Sequence, residues 1–561
     1  MLLASLTAYA EARGLLAEGR FATRRVHYVL CLSPEGQLLA VQPTGPDGVD
    51  LRAPRPPPRS VNIAAGFLVD NAKYVLGYTA AGKGRAERAD ERVAAFAALA
   101  REAAEATGSV EATAVARFLA DSAAMARVLA EREWTGAETL AFAVEGVAGL
   151  VHDVPALRAW WERRGAQEDA GGVVGLCSVT GEIGPLARVH EPVKGIPGTG
   201  GMGARLVSFR APASSSHGLE QGANAPIGKR AALGYVLALN HLLDSSEARH
   251  YRNGIRLAED TVLVLWTDGP AEEAERLLSL VDPTPPEIKR RAESMPAPTG
   301  PPLRPGARLF AATLSGAEGR ARVRDMLEAQ LADVVSNVHR FHDEVRLGGA
   351  PAWPVSVWSL LLALGGNGGQ KLTADLATLV ARRILTGEPF PAMVLTTALG
   401  RMARHDDDAS HLVTRAGLIR ACLLRTGGAA ATALRAAPGA ALPAAFVLGR
   451  LFALLEQFDG GSGFSERHYV RCSHTPALAF PVILERATPD ARARRELVAA
   501  RAELVAALPT PLPPRLDAEG QGLFALGYVR ERDARHGQPQ AVTVGRRKSA
   551  RTGAKPLTQS P

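Results

Sequence analysis

The amino-acid sequence predicts an α+β protein, with a mixed α/β N-terminal half followed by an α-helical bundle as the C-terminal domain. Two β-rich runs within residues 26–41 flank a turn at Ser33–Gly36, a pattern typical of a β-hairpin. The apolar run TVLVLWTD at 261–268 predicts a buried strand. From about residue 318 onward, helical periodicity continues with strand signals nearly absent.

Between these landmarks the front half alternates between helical and strand-like segments. An amphipathic helix precedes the hairpin, and the proline-rich run at 54–59 predicts a stiff extended connector. The later segments are strand-like at 67–78, helical at 84–168, strand-like at 173–190, helical at 229–243 and a charged helix at 270–295. The Pro-rich segment PAPTGPPLRPG that follows is typical of a linker.

The chain has 561 residues, too many for one ordinary core, and two to four domains are expected. We predict four regions: α+β at 1–305, a helical connecting region at 306–395, a C-terminal helical bundle at 396–536 and a basic disordered tail at 537–561.

Composition indicates a soluble globular protein, because 47% of the residues are hydrophobic and 22% are charged. The net charge is +8, and the basic residues comprise 57 Arg and only 8 Lys. Arg suits phosphate because its planar guanidinium donates two parallel hydrogen bonds. The same Arg, Ala, Gly and Pro usage also follows from a GC-rich genome, so both interpretations stay open.

The cysteines exclude a zinc ribbon and a disulfide framework. Cys31, Cys177, Cys422 and Cys472 lie far apart with no CxxC pair, so a reducing cytoplasm is expected. The N-terminus lacks the basic region of a signal peptide. No stretch approaches 18 uninterrupted apolar residues, so no membrane span is expected.

A glycine-rich segment, KGIPGTGGMG, is the first candidate binding site. Its candidate residues are Lys194, Gly195, Gly198, Gly200, Gly201 and Gly203. Clustered glycines let backbone N–H groups approach an anion. A nucleotide-binding P-loop needs Lys and then Ser or Thr after the glycines, and neither follows here. We expect a flexible loop that lets the backbone approach a ligand; a plain surface loop is the alternative.

Three other clusters carry weaker signals. The pair His339 and His342 shares one helix face and could hold a metal, yet the segment lacks the HExxH register and a clear third ligand. The acids at 406–408 indicate helix capping, and the Ser and His residues of 208–218 lack a GxSxG elbow. We therefore expect a non-enzymatic protein with no catalytic residues, no metal and no cofactor.

Ordered blocks along nearly the whole chain resemble a known family, the large subunit of type I-C CRISPR interference (Cascade) complexes. The blocks are HYVLCLSPEGQLL, FLVDNAKYVLGY, CSVTGEIGPLARVHEPVKGIPGTGGMGARLVSFRAPASSSHG, GANAPIGKRAALGYVLALNHLL, PAWPVSVWSLLLAL, RRILTGEPFP, TRAGLIRACLLR, LGRLFALLEQ and FALGYVRER. Each block alone is weak, and the ordered series is specific.

The resemblance implies a subunit that reads a short flanking motif on target double-stranded DNA and stabilises the opened strands, while guide pairing reads the rest. It implies assembly with guide RNA, backbone subunits and a guide-end-capping subunit, and recruitment of a helicase–nuclease. Region 1–305 would recognise DNA. Region 396–536 would resemble the separate small subunit, translated from an internal start for which Met393 and Met402 are candidates.

Two further groups of DNA-binding candidates follow from this implied role. Asn71 could read a base edge and Lys73 could bind phosphate, although Asn71 could instead cap a turn. Five arginines could line displaced single-stranded DNA: Arg401, Arg404, Arg415, Arg420 and Arg425. Solvation, or pairing with nearby acids, is the alternative for these arginines. The rival functions are a metal- or nucleotide-dependent nuclease and a helical scaffold that never touches DNA.

Overall fold

The computed structural model describes residues 1–16, 20–55, 63–79, 86–170, 172–201, 203–209, 214, 217–245, 251–284, 287, 303–347, 355–365, 372–404, 409–436, 440–458, 463–486 and 495–536. The chain forms two compact units. The first comprises Met1–Lys194, Gly201–His241 and Gly319–Ala321. The second comprises Gly195–Gly200, Leu242–Glu318 and the described residues from Arg322 onward. The predicted tail, 537–561, and most of the predicted linker lie outside the described residues.

In the described part of the chain, the first unit is built on short strands and seven α-helices. Its strands are β1 (Phe21–Val26), β2 (Tyr28–Leu32), β3 (Leu38–Pro43), β4 (Val49–Pro54), β5 (Asp70–Asn71), β6 (Thr139–Val144), β7 (Val174–Leu176) and β8 (Ile183–Pro185). Its helices are α1 (Leu2–Ala12), α2 (Ala72–Val75), α3 (Ala86–Thr107), α4 (Val110–Ala120), α5 (Ser122–Ala130), α6 (Pro155–Ala170) and α7 (Lys229–Leu242).

A four-stranded sheet with the order β3-β2-β6-β5 organises this unit. Strands β2 and β6 run parallel, whereas β3 and β5 pair antiparallel with their neighbours. The core contains Phe142 of β6, whose ring lies 6.2 Å from that of Phe96 and 6.1 Å from that of Phe118. The predicted hairpin is confirmed, because Gly36 donates its amide to the carbonyl of Ser33 at 2.9 Å within the β2–β3 turn.

Two predictions for this unit are wrong in part. The strand predicted at 67–78 is limited to β5, because Asn71 caps α2 and the chain turns into a helix. The helix predicted over 84–168 is interrupted by caps at Ser109 and Asp121 and by β6, whose β-branched and aromatic residues fill the sheet. Strand structure within 173–190 is confined to β7 and β8.

The second unit combines one sheet with a helical bundle. Its strands are β9 (Gly254–Arg256), β10 (Thr261–Thr267), β11 (Arg308–Ala317) and β12 (Arg320–Gln330). Its helices are α8 (Ala271–Val281), α9 (Leu331–Glu344), α10 (Val357–Gly365), α11 (Ala374–Thr386), α12 (Ala392–Met402), α13 (Ala409–Thr426), α14 (Gly428–Arg435), α15 (Ala444–Phe458), α16 (Phe464–His474), α17 (Pro476–Arg486), α18 (Arg495–Ala506) and α19 (Ala518–His536).

The sheet has the order β12-β11-β10-β9, and every residue of β10 is buried, as the apolar run predicted. Strand β12 contradicts the prediction that strands are nearly absent beyond 318, so helical structure in the connecting region begins only at Leu331. The charged helix predicted at 270–295 is described only as α8, which ends at Val281. The four predicted region boundaries stay predictions.

The helical half is confirmed, and the fold is α+β. Helices α15 and α19 pack against each other in its centre. Phe452 of α15 contacts Phe524 and Tyr528 of α19, with ring centroids 5.7 Å apart in both pairs. No helix in the described part of the chain is long and apolar enough to cross a membrane.

Candidate nucleic-acid interface

Asn71 lies at the N-terminus of α2 and acts as its cap. Its side-chain oxygen accepts a hydrogen bond from the backbone N–H of Lys73 at 3.1 Å. Its own backbone N–H donates to Asp70 Oδ1 at 2.8 Å, and Asp70 is buried. A cap of this kind satisfies one of the amides that a helix start leaves without a partner. The alternative capping role for Asn71 is therefore present, and the cap uses its side-chain oxygen and not its amide nitrogen.

Lys73 is exposed beside a cleft of about 520 Å³. The cleft is lined by Gly77, Tyr78, Thr79, Leu129, Arg132, Glu133 and Trp134. Gly136 allows Lys73 and Tyr78 to lie close together, because a Cβ there would be 2.7 Å from Lys73 Cε and 2.6 Å from the Tyr78 ring. Lys73 thus places a positive charge at the edge of a partly aromatic surface.

Arg132 gives this cleft a second positive charge. Its guanidinium carbon lies 4.6 Å from the ring centre of Tyr28 and 5.7 Å from that of Trp134, within the range of a cation–π contact. The exposed Glu133 lies in the same cleft. Sequence reasoning missed Arg132, although the run EREW around it carried both signs of charge next to an aromatic residue.

The two polar residues of this site have separable predicted roles. Asn71→Asp should keep the cap but remove the amide donor, and Asn71→Ala should lose both. If the amide reads a base edge, both variants should weaken discrimination of the flanking motif by about 1–3 kcal/mol. Lys73→Ala should lower affinity evenly across sequences, since phosphate contacts carry no sequence information. Competition binding on matched and mismatched DNA by the assembled complex measures both effects.

A melting curve of each variant serves as the control for this comparison. An equal loss on all DNA for Asn71→Asp and Lys73→Ala would contradict the base-reading role. Loss of folding in Asn71→Ala, with full discrimination retained by Asn71→Asp, would leave Asn71 as a cap alone.

The glycine loop at 194–203 is only partly open. Gly195, Gly198, Gly200 and Gly203 have φ between 68° and 81°, a region that other residues rarely adopt. A Cβ on Gly198 would lie 2.7 Å from the carbonyl oxygen of Gly316, and one on Gly203 would overlap the carbonyl of Val193. These two glycines are therefore required by contacts within the chain itself.

The loop residues that face open space are fewer than predicted. Within the described part of the chain, nothing lies within 4 Å of a Cβ built on Gly200 or Gly201. Lys194 is exposed, and its backbone N–H donates to Asn240 Oδ1 at 2.7 Å. The loop returns through the bridge between Val193 and Ala204 instead of starting a helix, so it lacks the helix N-terminus that a P-loop uses.

Buried polar groups precede the glycine loop, and sequence reasoning missed them. His190 Nδ1 lies 2.8 Å from the Tyr235 hydroxyl, and burial lowers the pKa of His190 to about 4. Burial also raises the pKa of Glu191, an effect that the charges of Arg55 and Lys194 oppose. At neutral pH His190 is therefore uncharged, and its hydrogen bond ties the loop's base to α7.

The five arginines predicted to line a surface are mostly internal, which corrects that prediction. Arg401 and Arg415 are buried. Arg401 Nε donates to the carbonyl of Leu364 at 3.0 Å, and Arg415 Nε donates to that of Ala363 at 2.6 Å. These carbonyls belong to the last turn of α10, where backbone oxygens lack helical donors and where the helix dipole favours a cation.

Arg420 and Arg425 make similar internal contacts, and only Arg404 is exposed. Arg420 Nη1 donates to the carbonyls of Asp343 and Glu344 at 2.9 and 2.6 Å. Arg425 pairs with the Glu344 carboxylate at 2.6 Å and donates to the carbonyls of Arg383 and Glu388. These groups hold α9, α11 and α13 together. A DNA-binding role stays a prediction, and its most accessible member is Arg404.

In the described part of the chain, His339 and His342 do not form a metal site with other side chains. His342 Nε2 lies 2.9 Å from the carbonyl oxygen of Leu280. Across the described ranges, no group of three or more His, Cys, Asp or Glu residues could hold a metal ion. The predicted acidic cluster at 406–408 and two of the four serines in 208–218 lie outside the described residues.

Comparison with known proteins gives the family. A search of curated proteins finds no match. A family model described as CRISPR-associated protein (Cas_Csd1) matches residues 5–536, which is nearly the whole chain. The order of the sequence blocks and the match over both structural units agree, and the chain belongs to this family of CRISPR-associated proteins.

Proposed function

We propose that this chain is the non-catalytic large subunit of a type I-C CRISPR surveillance complex in the cytoplasm. In this role the chain recognises a short motif flanking the target, stabilises the opened DNA and recruits a helicase–nuclease that cuts it. Guide RNA, backbone subunits and a guide-end-capping subunit are its partners. Family membership supports a place in CRISPR defence, and the chemistry of the first unit supports contact with DNA.

The observation that carries the proposal is a set of polar groups near the Tyr78 cleft, in which Lys73 is exposed and Asn71 and Arg132 are half-buried. Lys73 and Arg132 supply positive charge there, and the amide nitrogen of Asn71 is a donor that can meet a base acceptor. Affinity for DNA comes mainly from phosphate contacts, while discrimination comes from a few contacts to base edges. A subunit whose complex reads most of the target by base pairing needs only a small site of this kind.

Strand β12 and the glycine loop provide further groups for phosphate contacts. Arg320 and Arg322 are exposed at alternate positions of β12, so they share one face of this edge strand. In the glycine loop, Gly200 and Gly201 are exposed, and so is Lys194, where the loop begins. Sequence reasoning missed the two arginines because the strand itself was not predicted.

The proposed small-subunit role of the C-terminal helices rests on their packing. Helices α13, α15, α16 and α19, which all follow Met402, supply a large share of the buried cluster to which they belong; β10, β11 and helices α8 to α12 supply much of the rest. A product that starts internally would therefore retain a connected apolar core, which a stable helical bundle requires.

Expression with the sister subunits and a guide RNA tests the proposal. The chain should copurify with the guide, and binding of the complex to target duplex should weaken steeply with salt, with log affinity linear in log salt. Filter binding at several salt concentrations measures this slope. Binding that is flat between low and physiological salt would contradict the phosphate-based role. DNA cleavage by the isolated chain with a divalent metal would support the rival nuclease function instead.

A further inference from the structure

The β7–β8 hairpin exposes an unusual number of large apolar side chains. Val174 is 58% exposed, Leu176 is 60% exposed and Ile183 is 78% exposed. The antiparallel register places Val174 opposite Pro185 and Leu176 opposite Ile183. Directly paired residues, and residues two apart on a strand, share one face of a sheet. These four residues therefore form one surface, which we call the apolar hairpin face.

The opposite face of the hairpin is formed by glycines, and nothing in the described ranges lies within 4 Å of a Cβ built on Gly184. It carries the pair Gly175 and Gly184, and a Cβ on Gly175 would lie 2.9 Å from the Leu186 side chain. A sheet normally directs its glycines or polar residues to solvent and its large apolar residues to the core. In this hairpin the large apolar side chains are the exposed ones, so they contribute little to the core of the unit.

The hairpin is held in place at its base and at its turn. Cys177 is buried, and its Sγ accepts the backbone N–H of Gly228 at 3.1 Å. The backbone N–H of Ser178 donates to the carbonyl of Pro226 at 2.8 Å, and that of Ala187 donates to the carbonyl of Ile227. The apolar hairpin face is thus presented in one orientation, which lowers the entropy cost of binding.

The charge around the apolar hairpin face does not suit nucleic acid. No Lys or Arg occurs between Arg164 and Arg188, and the turn carries the exposed Glu182. A DNA or RNA contact would bring phosphates against a segment that supplies no cation of its own between residues 165 and 187. Apolar residues with little charge are instead typical of the centre of a protein–protein interface.

The small area of the apolar hairpin face indicates which kind of interface it belongs to. A standard interface takes about 800 Å² from each partner, and four side chains supply only part of that area. A face of this size serves as an anchor within a larger interface, as the few residues that dominate binding energy do. A multisubunit complex offers such a larger interface, whereas a dimer built on this hairpin alone would be too small.

We propose that the apolar hairpin face docks an apolar surface of a sister protein subunit of the complex. This inference rests on the proposed function, because it requires that the chain assemble with other subunits. The open edges of β7 and β8 also allow the partner to add a strand to the two-stranded sheet.

The double variant Leu176→Thr with Ile183→Thr tests the docking. Threonine keeps the β-branched preference for strands while removing the apolar surface. The control is Val110→Thr, since Val110 is 59% exposed in the first turn of α4. Each full-length chain is expressed with the sister subunits and guide RNA, and its share of the purified complex is measured. We expect at least a tenfold lower share for the double variant and an unchanged share for Val110→Thr.

Measurements on the isolated chains decide the other outcomes. All three proteins should melt at the same temperature and run as monomers in size-exclusion chromatography. Equal incorporation of the double variant and the wild type would overturn docking while leaving the proposed function intact. Normal incorporation of the double variant together with weakened DNA binding would overturn docking to a protein and assign the face to nucleic acid. A wild-type dimer that the double variant abolishes would assign the face to a second copy. Failure of the wild type itself to copurify with guide RNA would overturn the proposed function and the docking together.

Discussion

Replacing Gly449 by alanine is expected to destabilise the helical half by about 3 kcal/mol, because the added methyl group has no space. A Cβ on Gly449 would overlap the carbonyl oxygen of Phe524 and lie 2.9 Å from the amide nitrogen of Tyr528. The contact is reciprocal, since a Cβ on Gly527 would overlap the carbonyl oxygen of Phe446. Helices α15 and α19 therefore meet backbone to backbone, and an alanine would force them apart.

Gly400→Ala is the matched control for this prediction. Gly400 is an exposed residue inside α12, and within the described ranges nothing lies within 4 Å of a Cβ built there. Alanine at such a helical position should stabilise by about 0.5–1 kcal/mol through its higher helix propensity. Urea unfolding of the full chain measures both changes. Similar stability of Gly449→Ala and the wild type would show that the two helices can separate without cost.

Arg415→Met is expected to cost about 3 kcal/mol of stability, because a buried carbonyl of α10 loses a charged donor. Methionine occupies a similar length of side chain, so the loss reports on hydrogen bonds more than on a cavity. Arg415 is 2% exposed and donates to Ala363 O at 2.6 Å. Thermal melting of the full chain measures the change.

Arg404→Met provides the comparison, because Arg404 is exposed in the same bundle. Surface substitutions of this kind usually change stability by less than about 0.5 kcal/mol. If Arg404 contacts DNA, this variant should instead reduce the salt dependence of binding by the assembled complex. Normal stability of Arg415→Met together with weakened DNA binding would restore the surface track that the structure contradicts.

Much of the fold could be predicted because its signals are local. The buried strand β10, the turn at Gly36 and the helix α7 each follow from residues that are adjacent in sequence. Strand β12 could not be predicted, because RARVRDMLEAQ is rich in residues that favour helices. Its pairing with β11 overrides that preference, and pairing with a neighbouring strand is not visible in the strand's own sequence.

The candidate site shows the same division between local and distant causes. The capping role of Asn71 was weighed correctly because a cap depends on residues two or three positions away. The burial of Arg401 and Arg415 was missed because their acceptors lie on another helix, 37 and 52 positions away. A helical repeat shows which residues share a face, yet it does not show which other helix end that face meets.

The apolar hairpin face was missed for a related reason. Alternating apolar residues at Val174, Leu176 and Ile183 look like one side of an ordinary strand pair packed on a core. Only the exposure of these side chains in the structure shows that their side of the hairpin does not pack on a core.

If translation also begins inside the chain, the contacts of the internal arginines would differ between the two products. Six carbonyl groups that accept hydrogen bonds from Arg415, Arg420 and Arg425 precede residue 402; they belong to Asp343, Glu344, Ala363, Arg383, Glu388 and Arg401. A shorter product starting at Met402 would leave every one of those acceptors behind. Its three guanidinium groups would then need water or phosphate in their place. One gene would thus encode two proteins that share these helices. In the full-length chain the three guanidinium groups contact carbonyls of the preceding helices, whereas in the shorter product they would form a cationic surface open to nucleic acid.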